Sequence, residues 1–151
     1  LIAIQGRSFR KTGLRYITIK LDNYAPLIYN MNNVDDSIKV YCVEGPIDSM
    51  FIPNSIAAGG SDLKRVKEVL TTDNIVYVFD NQPRNKEIVK TIERAGDDGQ
   101  RVVVWPDSVI EKDINEMIMG GRSQSEVLNI INYNTHSGLS LKMKLNAWSK
   151  C

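Results

Sequence analysis

Ile38-Lys39-Val40-Tyr41-Cys42-Val43-Glu44-Gly45-Pro46-Ile47-Asp48 is the stretch that decides the fold. Residues 38–43 form a continuous β-prone run, the pattern of a strand buried on both faces of a parallel sheet. Pro46 suits the first turn of a helix, where its missing N–H is no loss, and Ile47, Met50 and Phe51 would share one face. Strand therefore passes into helix through Glu44-Gly45. The same order recurs downstream. Residues 55–58 are a second strand, ended by Gly59-Gly60. Ser61 or Asp62 can cap a helix through Leu70 with a stripe of Leu63, Val66, Val69 and Leu70. Residues 75–79 are a third strand running into Asp80, and a helix from Pro83-Arg84 to Gly96 points Ile88, Val89 and Ile92 inward. Residues 101–105 are a fourth, stopped by Pro106. Helices over 113–119 and 123–131 and a less regular segment over 137–148 complete the chain. Strand–helix alternation predicts an α/β fold with a mostly parallel four-stranded sheet flanked by helices.

Ahead of this core, residues 15–21 alternate as a strand, and 30–37 are polar and turn-like. The first part is basic: Arg7, Arg10, Lys11, Arg15 and Lys20 precede the first acid, Asp22. After His136 come Lys142, Lys144 and Lys150 with no acid. Although the net charge is only +1, basic ends around an acidic middle suit a polyanion held over a metal site.

The 151 residues, 42% hydrophobic and 25% charged, are enough for one domain with a packed core. No apolar run approaches the roughly 18 residues of a membrane span, so no membrane association is expected. The two cysteines cannot form a disulfide framework, and one histidine without a close cysteine pair makes no zinc motif. A reducing cytoplasm is the expected compartment. The chain opens on Leu1 rather than Met, as a fragment or processed product would.

Functional groups of parallel sheets gather at the carboxyl ends of the strands. Three strands here finish in acid. Glu44 follows the first core strand, with Asp48 one helical turn on. Asp80 follows the third, with Gln82 two residues later. Asp107 and then Asp113 follow the fourth, with Asn115 spaced like Gln82. Taken singly, Glu44-Gly45 is a turn, Asp80-Asn81 a turn or cap, and Asp113 the cap of the helix it begins. Taken together, Glu44, Asp80 and Asp113 converge on one rim if the strands are adjacent. Clustered carboxylates repel one another and are stable chiefly around a hard cation; oxygen ligands favour Mg2+ or Mn2+ over zinc. Gly45 would let an ion or phosphate approach the backbone. Asp107 and the pair Asp97-Asp98 read as ordinary loop acids.

Val43-Glu44-Gly45-Pro46-Ile47-Asp48, Ala57-Ala58-Gly59-Gly60, Val78-Phe79-Asp80-Asn81-Gln82 and Lys112-Asp113-Ile114-Asn115-Glu116, in that order, resemble a Toprim domain. That domain is shared by bacterial and phage primases, type IA and type II topoisomerases, ribonuclease-maturases and related nucleases. The resemblance implies a Toprim-like fold with magnesium-dependent phosphoryl transfer. It makes Glu44 the invariant acid, Asp80 the first aspartate of an Asp-x-Asp pair, and Asp48 and Asp113 accessory acids. The sequence departs from the family at Gln82, where an acid is usual, and Asn115 stands where primases often have a second aspartate. An amide oxygen ligates without charge, so a second metal would be held more weakly.

Gln5-Gly6-Arg7 and Leu14-Arg15-Tyr16-Ile17 resemble the basic stretch that precedes this core in bacterial-type primases. The resemblance implies phosphate contacts for Arg7 and Arg15 and base positioning for Tyr16. Asp80-Asn81-Gln82-Pro83-Arg84-Asn85 and Asn146-Ala147-Trp148-Ser149-Lys150 resemble primases of tailed bacteriophages, and Arg84 becomes a candidate for triphosphate or template. The implied organisation is a basic subdomain end over 1–37, a Toprim core over 38–120 and a helical tail over 121–151. The tail's pattern does not decide whether it finishes the core or docks a partner. The expected function is that of a DNA primase catalytic core, making RNA primers on single-stranded DNA from ribonucleoside triphosphates beside a replicative helicase. A zinc module would lie before Leu1 or on another chain. A Toprim nuclease using the same acids, or a binding module with an eroded site, are the alternatives.

Overall fold

A computed structural model describes residues 1–9, 13–14 and 16–151. Arg10, Lys11 and Arg15 of the basic stretch lie outside the described residues.

Strands β1 (Ala3–Arg7) and β2 (Tyr16–Lys20) pair antiparallel as a ribbon of their own, with Ile4 opposite Ile19 and Arg7 opposite Tyr16. Then follow β3 (Ile28–Tyr29), β4 (Val40–Val43), α1 (Pro46–Ser49) and β5 (Ser55–Ala58). A 3-10 turn over Gly60–Arg65 leads into α2 (Val66–Val69), then β6 (Ile75–Val78), α3 (Lys86–Asp97) and β7 (Arg101–Val103). The chain ends with α4 (Ile114–Met119), α5 (Gln124–Tyr133), β8 (Thr135–His136) and α6 (Gly138–Trp148).

The fold is α/β, but the expected mostly parallel sheet of four strands is corrected to a mixed sheet of six. Its order is β3-β5-β4-β6-β7-β8. β5, β4, β6 and β7 run parallel, while β3 and β8 pair antiparallel at the two edges. The edge strands are two residues long, too short to carry a period-2 signal. β3 precedes residue 38 and β8 follows residue 120, so the main sheet draws on both flanks.

Alternate residues of the central strands feed two apolar layers, as a doubly covered sheet requires. Val40, Cys42, Ile56, Tyr77 and Val102 pack under Val89 and Ile92 of α3 and Leu141, Leu145 and Trp148 of α6. Tyr41, Val43, Val76, Val78 and Val103 pack under Ile114 and Met117 of α4 and Val127 and Ile131 of α5. Each fully buried aliphatic side chain contributes about 1.5–3 kcal/mol. The tail therefore finishes the core. Gly96 lets α3 and α6 approach closely: a Cβ there would stand 2.9 Å from Leu141 Cδ2.

Local signals set the helix starts. Asn85 accepts the Glu87 N–H at 3.1 Å, so α3 begins after it rather than at Pro83-Arg84. Ser123 and Glu126 close a capping box on α5. Helix α1 is a single turn that buries Ser49 and leaves Met50 exposed, so the apolar face expected of Ile47, Met50 and Phe51 does not form on it. The helix expected from Ser61 or Asp62 is instead the 3-10 turn followed by α2, with Gly59 at the cap position. Among the described residues no helix is long and apolar enough to cross a membrane.

Candidate active site

β4 and β6 are parallel neighbours with Val43 opposite Val78, so the residues after them leave the sheet at one rim. There the Asp80 backbone N–H points at Glu44 Oε1, 3.4 Å away. Asp48, on α1, accepts the Asn115 N–H at 2.8 Å through Oδ1, which brings the first turn of α4 to the same rim. Asp113 caps α4, accepting the Glu116 N–H at 2.8 Å. The Lys112 ammonium sits 2.8 Å from Asp80 Oδ2 and 4.0 Å from Asp113 Oδ2. Glu44 and Asp48, Asp80, and Asp113 are thus gathered from three separate segments.

The amides serve the acids in an unexpected sense. Gln82 donates from Nε2 to Asp80 Oδ2 at 3.3 Å, and its oxygen accepts from Asn85 Nδ2 at 2.9 Å. Asn115 contributes its backbone N–H. The open space at Gly45 also has an occupant, since a Cβ there would lie 2.5 Å from Asp48 Oδ2. Missing a side chain at Gly45 admits the Asp48 carboxylate.

Crowding shows in the proton affinities. Burial, then the neighbouring Asp80 charge, push Glu44 up to about 7, against the opposing Asp80 N–H and Lys112 charge. Burial pushes Asp48 up to about 6; the Asn115 N–H opposes it, and the Asp113 and Asp80 charges reinforce it. Lys112 is raised, chiefly by its hydrogen bond to Asp80. Partly buried acids that hold protons into the neutral range mark a spot where burial first, and neighbouring negative charge second, disfavours the ionised form. Among the described residues no three His, Cys, Asp or Glu side chains close into a metal-binding set. The oxygen donors and the uncompensated charge fit a hard divalent cation, with Lys112 the nearest positive charge to Asp80.

The basic candidates are elsewhere. Arg7 lies over the Tyr16 ring at 5.6 Å on the ribbon, and among the described residues no hydrogen bond or ion pair joins either to the acids. Arg15 lies outside the described residues. Arg84 is exposed before α3 and shares a shallow hollow with Gln82, Pro83, Asn85 and Lys150. Asp107 is exposed. Lys112 had no assigned role in the sequence reading, although a lysine directly before a strand-end acid is a visible signal. Asn81, Trp105 and Trp148 were equally unassigned, and nothing local in the sequence announces their contacts.

No protein-family model matches the chain. The chain is 37% identical, over 98% of its length, to the DNA primase of Enterobacteria phage T4. It spans 44% of that protein's length. The similarity supports a primase-related region.

Proposed function

We propose that this chain is the catalytic core of a DNA primase with a Toprim-like site, joining ribonucleotides on a single-stranded DNA template. The observation that carries this reading is the meeting of Glu44 and Asp80 at the ends of adjacent parallel strands, with Glu44 raised to about 7 by burial and by Asp80. Similarity to a phage primase supports the same reaction class.

Glu44 and Asp80, with Asp113, are the catalytic acids. They would hold Mg2+ or Mn2+, with Asp48 and Asn115 as accessory groups. When bound, the ion supplies charge stabilisation to the reacting phosphate and lowers the pKa of the attacking hydroxyl. The chain's own groups do the rest. Lys112 and the Gln82 amide fix the Asp80 carboxylate from two sides. The Asn115 N–H fixes Asp48. In the reaction the primer 3′-oxygen bonds to the α-phosphorus of the incoming ribonucleotide as the bond to pyrophosphate breaks. Lys112, the ammonium beside Asp80, would offset charge growing on that phosphate. Arg84, Arg7 and Arg15 supply phosphate contacts, and Tyr16 positions a base. In this reading residues 1–37 end a basic subdomain, 38–120 form the Toprim core and 121–151 the tail. The partners are template, ribonucleoside triphosphates and a replicative helicase, in the host cytoplasm.

The test is ribonucleotide incorporation on single-stranded DNA with Mg2+ or Mn2+, together with direct Mn2+ binding. Glu44→Gln should lower incorporation by about 10²-fold or more, the scale of losing one charge-stabilising group, and should weaken Mn2+ binding. Strand cleavage without synthesis would replace the proposal with a nuclease. DNA binding indifferent to metal, with neither reaction, would leave a binding module.

A further inference from the structure

The chain has two tryptophans, and both donate their indole N–H to the segment that carries Asp80. Trp105 Nε1 donates to the Phe79 carbonyl at 2.7 Å from within the apolar layer under α4 and α5. Trp148 Nε1, at the end of α6, donates to Asn81 Oδ1 at 3.1 Å from the opposite layer. Asp80 is therefore the residue between two anchors that reach it from opposite faces of the sheet.

Asn81 extends this bracing sideways. Its Nδ2 donates to the Val109 carbonyl at 2.8 Å and to the Glu111 carbonyl at 3.1 Å. Its backbone N–H donates to the Lys112 carbonyl at 2.6 Å. One side chain thus spends both amide protons on the 109–111 backbone and its oxygen on an indole, and only an amide offers that combination. The segment it grips delivers Lys112 and Asp113. A second tie comes just after α6, where the Lys150 N–H donates to the Pro83 carbonyl at 2.9 Å.

We propose that Asn81 and Trp148 are positioning residues for the reaction: they set the Asp80 carboxylate against Lys112 and Asp113, and so make the C-terminal helix part of the catalytic apparatus. This rests on reading Asp80 as a catalytic acid. The two residues touch no reacting atom; they act by holding two loops at one spacing, since catalysis is sensitive to small misplacements of its groups.

Trp148→Phe keeps an aromatic ring in the core and removes the indole donor together with the volume of its five-membered ring. It should lower kcat for ribonucleotide incorporation by about tenfold, the lower end of losses on removing a supporting partner, with the KM for nucleotide unchanged; the melting temperature should fall modestly for the lost ring volume. Asn81→Asp, nearly isosteric, sets a carboxylate oxygen against two carbonyls and should lower kcat further. Amide exchange over 109–113 should be faster in both variants. Full kcat in Trp148→Phe, beside an inactive Glu44→Gln, overturns the positioning role and leaves the catalytic reading standing. Wild-type protein that neither binds Mn2+ nor incorporates ribonucleotides overturns both.

Discussion

The acid rim and the β1–β2 ribbon are built on opposite terms. At the rim, Asp80 and Asp113 share Lys112, Asp48 is held by a backbone N–H, and Glu44 faces the N–H of Asp80. The strands behind it are buried on both faces. On the ribbon, every residue of β2 is exposed. Register puts Ile4, Ile17 and Ile19 on one face, each more than half exposed, and Gln5, Arg7, Tyr16 and Thr18 on the other. A lone two-stranded ribbon is marginally stable. The contrast separates two kinds of chemistry. The acids proposed to act together follow strands buried on both faces, and the residues proposed to meet the template sit on an exposed two-stranded ribbon.

The sharpest way to break this comparison is to remove an acid. Asp80→Asn deletes a charge that Lys112 and any bound cation both use, and incorporation should fall by about 10²-fold or more. Template binding, measured by anisotropy, should change little. A variant that loses template affinity and keeps its turnover would assign the rim to DNA binding.

Next comes pH, read on melting temperature in the presence of EDTA. Glu44 and Asp48 hold protons to about 7 and about 6 in the folded protein, against ordinary values of 4.5 and 3.8. Between those values the folded state binds more protons than the unfolded chain, so stability falls as pH rises from about 4 and levels off above about 7. Glu44→Gln should flatten the upper part of that decline. Mg2+, which needs the ionised carboxylates, should stabilise the protein more at pH 8 than at pH 5.5. Stability in EDTA that climbs through this window would mean the acids are not crowded as described.

A smaller effect separates two glycines. Gly45→Ala forces a Cβ to 2.5 Å of Asp48 Oδ2. The carboxylate must leave its place and loosen its bond to Asn115, at about 1–3 kcal/mol, the usual range for overpacking. Gly6 on the ribbon has nothing within 4 Å of an added Cβ. Gly6→Ala should be neutral or stabilise by about 0.4–1 kcal/mol through the unfolded chain. Equal destabilisation of both by denaturant titration would erase the distinction between a braced rim and an open ribbon.

The sequence made the rim's membership legible because strand ends repeat a pattern: an apolar run, an acid, a small or polar residue, a helix. Glu44 and Asp80 carry it; Asp113 lies further from its strand and shows instead as the cap of α4. What stayed hidden depends on distance along the chain. Trp148 and Asn81 are 67 residues apart, and no periodicity links them. β3 and β8 are too short to alternate, so the sheet's antiparallel edges were missed. β1 lacks the alternation of β2, since Gly6 interrupts its apolar face. Gln82 was read as a weak ligand from its position alone, whereas the structure turns its amide protons toward Asp80 and gives its oxygen to Asn85.

The ribbon itself gives the gentlest test. Arg7 lies over Tyr16 at 5.6 Å, an exposed cation–π contact worth about 0.5–1 kcal/mol, so Arg7→Ala should lower stability only slightly. If Arg7 meets a template phosphate, the same change weakens single-stranded DNA binding equally for all sequences. It should also make the log–log salt dependence shallower by about 0.7, the contribution of one neutralised phosphate on a single strand. Turnover at saturating template should stay at the wild-type value, because among the described residues no hydrogen bond or ion pair joins Arg7 to the acids. A drop in kcat with an unchanged salt slope would place Arg7 at the chemistry.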